Sequence, residues 1–195
     1  MVFHIVTLFP QAFKSYLGES IIARAIRDKK IAVKFYNPRD YTDDKWARGD
    51  RRPYGGGPGR VLEAPAIVET IDAIRSNILK NVRMKKSKKR KAQSSKPKAK
   101  VILFSTSGKQ FTNTYAQNAV KKYTDLILIC GRYEGVDARV KNIFKAEELS
   151  VGPFVLTGGE LPAMILVDAI SRHIEGVLGN FDSVEEHRTA SSEVY

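Results

Sequence analysis

Three stretches of the chain carry residue types able to hold a small polar ligand. "CGRYEGVDARV" (130–140) follows the apolar run "LILI" and sets Gly131, Arg132, Tyr133, Glu134 and Gly135 where a strand should end. The glycines let the backbone approach a ligand, while Arg132 and Glu134 supply opposite charges. The same pair can instead form a salt bridge that caps the following helix, and the residues alone leave both readings open. "SVGPFVLTGGELPA" (150–163) flanks a short apolar piece with small residues. Such a loop can offer N–H and C=O groups to the edge of an adenine and cover its faces with apolar side chains. "STSGK" (105–109), after the apolar "VILF", is equally consistent with a simple turn.

A fourth stretch, "RPYGGGPG" (52–59), packs four glycines and two prolines behind Arg51 and just ahead of Arg60. It is either slack linker or a backbone surface shaped to lie against a ligand. Other chemistries are not supported. No Gly-Lys-Ser/Thr follows the glycines, no strand is followed by G-x-G-x-x-G, and there is no G-x-S-x-G elbow. Cys130 is the only cysteine, and His4, His173 and His187 are scattered, so neither a disulfide nor a metal site is expected.

These stretches need a scaffold, and the sequence supplies one. "FHIVTL" (3–8), "IAVKFY" (31–36), "VILFS" (101–105) and "LILIC" (126–130) read as buried strands. Residues 11–30, 64–79, 112–123 and 137–144 carry helical spacing between them, and a last helix is expected to begin near Glu160 with Pro162 in its first turn. Such alternation implies an α/β fold with a mostly parallel sheet and helices on both faces. In open sheets of this kind ligands bind at the carboxyl ends of the strands, where three of the four stretches fall.

The chain has 195 residues and a formal charge of +12. Residues 80–100 hold 11 of the 33 Lys and Arg and no acid, leaving 22 basic against 21 acidic residues elsewhere. Without apolar periodicity this segment reads as a mobile basic insertion, either simply solvated or contacting phosphates nonspecifically. No apolar run is long enough to span a bilayer, and residues 1–9 lack the features of a signal peptide, so a cytoplasmic protein without membrane contact is expected.

The ordered series "LFP" (8–10), "NPRDYT" (37–42), "RPYGGGPG" (52–59), "CGRYEG" (130–135), "LTGGELPA" (156–163) and "SRHIEGVLGN" (171–180) resembles the bacterial tRNA (guanine-N1)-methyltransferases of the SPOUT superfamily. The resemblance covers the chain apart from the 80–100 insertion and the last dozen residues. It implies a C-terminal trefoil knot, a rare exception to the rule against knots. It further implies methylation of N1 of guanosine 37 in tRNA, S-adenosylmethionine as cofactor, and a homodimer with active sites at the subunit interface. Carried over by motif, the cofactor-binding positions are Leu103, Phe104, Ser105 and Thr106; Gly131, Tyr133, Glu134 and Gly135; and Ser150, Val151, Gly152, Pro153, Phe154, Val155, Leu156, Gly158, Gly159 and Pro162. The glycine stretch becomes the substrate surface, through Arg52, Tyr54, Gly55, Gly56, Gly57, Pro58 and Gly59. Arg172 matches the family arginine that steadies charge on the guanine O6.

The sequence departs from the family at several places. Counting without gaps from Arg172, the position of the family's general base, an aspartate, is filled by His187, which can accept a proton near neutral pH. Asp182, Glu185 and Glu186 read as polar linker residues. Pro153 and Phe154 stand where many relatives carry Asp-Tyr, and Arg60 where an apolar residue is usual. Residues 1–180 are expected to form the methyltransferase domain and 181–195 the start of an interdomain linker, with the family's C-terminal tRNA-binding domain absent. Cofactor binding should survive that loss better than methylation. Two other functions compete: a noncatalytic RNA-binding protein acting through residues 80–100, and a related SPOUT enzyme with another target.

Overall fold

The computed structural model describes residues 1–46, 48–53, 55–88 and 98–179. Five parallel strands form one sheet in the order β2-β1-β6-β5-β7: β1 (Val2–Val6), β2 (Ala32–Tyr36), β5 (Ala99–Gln110), β6 (Asp125–Ile129) and β7 (Glu147–Ser150). β6 lies at the centre and every one of its residues is buried, as a strand covered on both faces must be. Its alternation separates two cores. Leu126 and Leu128 face one way, with Phe3, Ile5 and Ile102, against α1 (Lys14–Leu17), α2 (Ser20–Arg27), α4 (Asn113–Lys122) and α6 (Glu160–Ser171). Ile127 and Ile129 face the other way, with Val6, Val101 and Leu103, against α3 (Ala64–Lys88) and α5 (Ala138–Phe144). The expected helices therefore do lie on both faces of the sheet.

Four local features differ from what the sequence leads one to expect. The helical pattern of residues 11–30 is broken into a 3-10 turn (Pro10–Phe13), α1 and α2, because Gly18 ends α1 and Ser20 adopts a positive φ of 52°. "STSGK" is not a turn after β5 but part of it. Phe104 and Lys109 both stand opposite Leu149, so the residues between them bulge out of the ladder. Gly108 is required there, since a Cβ would fall 2.7 Å from the backbone of β7. β7 itself has no signal in the sequence, because "EELS" has no apolar run and only its last two residues are buried. Finally, residues 80–88, expected in a mobile loop, continue α3, and β5 begins at Ala99; only 89–97 of the expected loop lie outside the described residues. Lys, Arg and Met favour helix without needing an apolar face.

The glycine stretch caps a two-stranded antiparallel hairpin, β3 (Asp50–Arg51) with β4 (Val61–Leu62). Within the sheet, mid-strand His4 bridges Tyr36 at 3.1 Å and Asp125, the first residue of β6, at 3.0 Å, and Thr124 donates to Asp125 at 2.7 Å. Burial pushes the Asp125 carboxyl up, but the bonds from His4 and Thr124 outweigh it and hold the group below its usual range. A carboxylate held low adds stability that is present above its unfolded pKa and disappears as pH falls through the folded one. Asp125→Asn is expected to cost about 1 kcal/mol at pH 7. In urea titrations across pH, the gap from the parent protein should narrow below about pH 4; a gap constant down to about pH 2.5 would contradict this assignment.

Candidate functional site

The carboxyl ends of β5, β6 and β7 enclose a cavity of about 280 Å³. Each wall comes from one of the stretches with chemical potential. The β5 bulge contributes Phe104, Ser105 and Thr106; the turn after β6 contributes residues 131–135; the segment after β7 contributes Ser150, Val151, Gly152, Phe154 and Leu156; and Gly158, Gly159 and Pro162 close it at the start of α6. Backbone approach is close throughout. Gly159 N–H donates to Gly131 O at 2.9 Å, and a Cβ on Gly159 would lie 2.6 Å from the Cα of Cys130. In the turn after β6, Tyr133 and Gly135 both adopt positive φ, 60° and 117°.

Three of the expected cofactor positions lie elsewhere. Leu103 is buried in the core facing α3 and does not line the cavity. Pro153 and Val155 point outward, Val155 being 85% exposed. Conversely, Leu149, Arg132 and Thr157 line the cavity although the motifs do not assign them to it. Leu149 belongs to β7, which the sequence does not announce. Arg132 is legible as a charged residue, but its partner is not Glu134 and it does not cap α5, whose N-terminal turn is capped by Asp137.

Arg132 pairs instead with Glu160 on α6, Nε to Oε2 at 2.9 Å, with the N–H out of line, a charge contact rather than an aligned hydrogen bond. Its guanidinium also donates to Thr157 O at 3.3 Å and lies 4.7 Å from the Phe9 ring centroid. Glu160, almost wholly buried, accepts from Thr7 at 2.9 Å, and Thr7 in turn accepts from Phe9 N–H. The "LFP" motif and the "GGELPA" motif are thus joined through one buried carboxylate. Beside them, burial and the Glu160 carboxylate push the Cys130 thiol well up, so it is no nucleophile at neutral pH.

The glycine hairpin is fastened to the same turn. Glu134 N–H donates to Arg60 O at 2.9 Å, Leu62 N–H to Gly135 O at 3.0 Å and Asp137 N–H to Leu62 O at 3.0 Å. Gly56, Gly57 and Gly59 have φ of 75°, 98° and 92°, and a Cβ on Gly59 would fall 2.5 Å from the Glu134 carboxylate. Residues 55–59 are exposed; Tyr54 lies outside the described residues. Arg60 pairs with the buried Asp50 across the hairpin. A groove of about 460 Å³ runs between this hairpin, at Arg51, Arg52 and Pro53, and the start of α5, at Val136 and Arg139. Glu134 borders both the groove and the cavity.

Residues 1–193 match the family model for the tRNA (guanine-1)-methyltransferase TrmD. The chain belongs to this family. It is 42% identical over 185 residues to the tRNA (guanine-N(1)-)-methyltransferase of Citrifermentans bemidjiense, covering 95% of this chain and 67% of that protein. It is 40% identical over 187 residues to the enzyme of the same name from Pseudoalteromonas atlantica, covering 94% and 63%. The chain therefore spans about two thirds of the length of these relatives. Its fold is similar to the crystal structure of the tRNA (m1G37) methyltransferase from Aquifex aeolicus, with a TM-score of 0.73, 33% identity, and coverage of 92% of this chain and 72% of that one.

Of the residues assigned by family resemblance, Arg172 ends α6, half-buried and away from the cavity lining, while His187, Asp182, Glu185 and Glu186 lie outside the described residues. The ion pair at the base of the cavity yields a stability test. Glu160→Ala leaves Arg132 and Thr7 without their partner and is expected to cost about 3 kcal/mol in chemical unfolding. Replacing Thr7, Arg132 and Glu160 together by Val, Met and Leu should recover most of that loss, because no buried charge is then unpaired. A triple variant as unstable as Glu160→Ala would show that the charges themselves are needed.

Proposed function

We propose that the chain transfers a methyl group from S-adenosylmethionine to N1 of guanosine 37 in tRNA, in the cytoplasm. The observation that carries this reading is the adjoining pair of compartments, a donor-sized cavity and an arginine-flanked groove that share the Glu134 wall. The cavity suits an adenosine sulfonium. It is lined by close-packed glycine backbone, its one cationic lining residue among those described, Arg132, is neutralised by Glu160, and it offers no lysine cradle of the kind a phosphate would need. The bound cofactor supplies a methyl group on a positively charged sulfur.

The chain's residues then have to orient the base and manage one proton. As the N1–carbon bond forms and the sulfur–carbon bond breaks, the N1 proton leaves to a base and negative charge gathers on O6. Arg172 meets the O6 charge and His187 takes the proton in this reading. The glycine hairpin, without side chains at 55–57, lets the nucleoside lie against its backbone beside Arg51 and Arg52.

A single copy does not bring these parts together. α6 starts at the cavity and ends at Arg172, and its 12 residues span about 18 Å. A second copy that lays its α6 end over the cavity removes the difficulty. Leu161 and Ile165, at 54% and 43% exposure one turn apart on α6, and the exposed Phe154 and Val155 in the segment before it offer apolar surface suited to such a contact. The knot expected of the family fits the same region: β7 sits at the sheet edge, and the chain then returns across β5 to touch Cys130 and Gly131 before α6 begins.

Calorimetry with S-adenosylhomocysteine should show saturable binding, abolished by Gly131→Val, which adds a branched side chain at a residue lining the cavity where a Cβ meets only ordinary contacts. A folded chain that does not bind would refute the cofactor assignment. Gly131→Val and Arg172→Ala should each be inactive on tRNA, yet a mixture of the two should regain up to about a quarter of the parent activity, since half the dimers are mixed and each has one intact site. No recovery, with subunit exchange verified, would place Arg172 and the cavity in one subunit's site or remove Arg172 from the reaction.

A further inference from the structure

Trp46 is the chain's one tryptophan, and 70% of it is exposed. An indole so open to water is unusual in a folded chain. The loop that carries it is nevertheless closed on its own groups. Asp44 N–H donates to Thr42 Oγ1 at 3.2 Å, the Trp46 backbone N–H donates to Asp44 Oδ1 at 2.7 Å, and Arg48 Nε pairs with the same oxygen at 3.6 Å. Both ends of the loop are anchored. Pro38 is buried in the 3-10 turn Pro38–Tyr41, which packs against α3, and Gly49 is buried at the entry to β3. Lys45 Nζ stands 5.8 Å from the indole centroid, a cation–π contact that leaves most of the ring open.

The hairpin sets where this ring stands. Gly49 O accepts from Glu63 N–H at 2.8 Å, and Glu63 lines the groove together with Arg51 and Arg52. Trp46 comes three residues before Gly49, so the two Cα atoms are at most about 11 Å apart. The indole is therefore a neighbour of the groove in which the target nucleoside is placed above. With Asp43 and Asp44 set against Lys45 and Arg48, the loop offers a ligand the face of a ring rather than net charge. A protein partner is met by a cluster of apolar side chains inside a polar rim, and among the described residues from 37 to 60 no other large apolar side chain is exposed. A single open ring suits stacking on another flat ring.

The reaction creates a need for such a ring. N1 lies on the pairing edge of guanine, and an enzyme reaches a base by drawing its nucleotide out of the stack, which bares the face of the neighbouring base. We propose that Trp46 stacks on the base next to the target guanosine and takes the place in the stack that the guanosine leaves on entering the groove. This rests on methylation of guanosine 37 in tRNA as the function. Every base has a π face, so the contact reads no sequence by itself. Its effect is on register: with one base held on the indole, the nucleotide beside it is the one delivered to the glycine hairpin.

Because the chain has no second tryptophan, indole emission reports on this contact directly. The 195-residue chain is titrated with an anticodon stem-loop RNA carrying guanosine 37, in the presence of S-adenosylhomocysteine. Binding should quench the emission, and an abasic site on one side of guanosine 37, but not on the other, should abolish the quenching and so name the stacked base. In anisotropy titrations Trp46→Leu should weaken RNA binding about tenfold and Trp46→Phe by less. Neither variant should change affinity for S-adenosylhomocysteine or the slope of log K against log salt, because no phosphate contact is removed. An emission unchanged by the intact RNA would overturn the proposal. So would equal quenching by both abasic RNAs or by heparin, which would trace the change to a nearby polyanion, and so would emission that already shifts with protein concentration before RNA is added, which would assign the ring to a second copy. If one base of the intact RNA quenches Trp46 but guanosine 37 is never methylated, the functional reading fails and the stacking contact stands; methylation with Trp46 unquenched removes the contact alone.

Discussion

The contact of Gly159 with the end of β6 is the constraint on which the rest of the site depends. Only a residue without Cβ lets the chain come within hydrogen-bonding distance of Gly131 while lying against the Cα of Cys130. That approach brings the start of α6 onto the centre of the sheet and places Glu160 where Thr7 and Arg132 can reach it. Motifs more than a hundred residues apart in sequence are thereby held by one buried carboxylate. The cavity is what remains between the three strand ends once α6 is fixed there, walled by glycine backbone together with side chains such as Phe104, Leu149, Phe154 and Leu156.

α6 then links two requirements that pull in opposite directions. Its first turn has to close the cavity and its last residue, under the proposed mechanism, has to reach a reacting guanine. Within one subunit the two ends of this helix stand about 18 Å apart. Phe154, Val155, Leu161 and Ile165 are exposed apolar residues on or just before the same helix; under the proposed pairing, a contact through them would also set where the distant arginine ends up. Association and catalysis would share one element in such an arrangement.

Much of this is legible in the sequence, for identifiable reasons. "LILI" and "VILF" read as strands because burial on both faces removes every polar position, and Pro162 marks the start of α6 because proline fits a first turn. Most of the positions carried over by motif line the cavity, and among their glycines Gly159 is required by its close approach to the end of β6. What escapes is determined by tertiary context. β7 shows no pattern because a short edge strand is buried at only two positions, and the STSGK bulge looks like a turn because a bulge and a turn use the same residues. The partner of Arg132 is hidden from sequence reasoning because Glu134 is close along the chain, whereas Glu160 is close only after α6 has docked. Residues 80–88 look like loop because they lack an apolar face, although helix propensity does not require one.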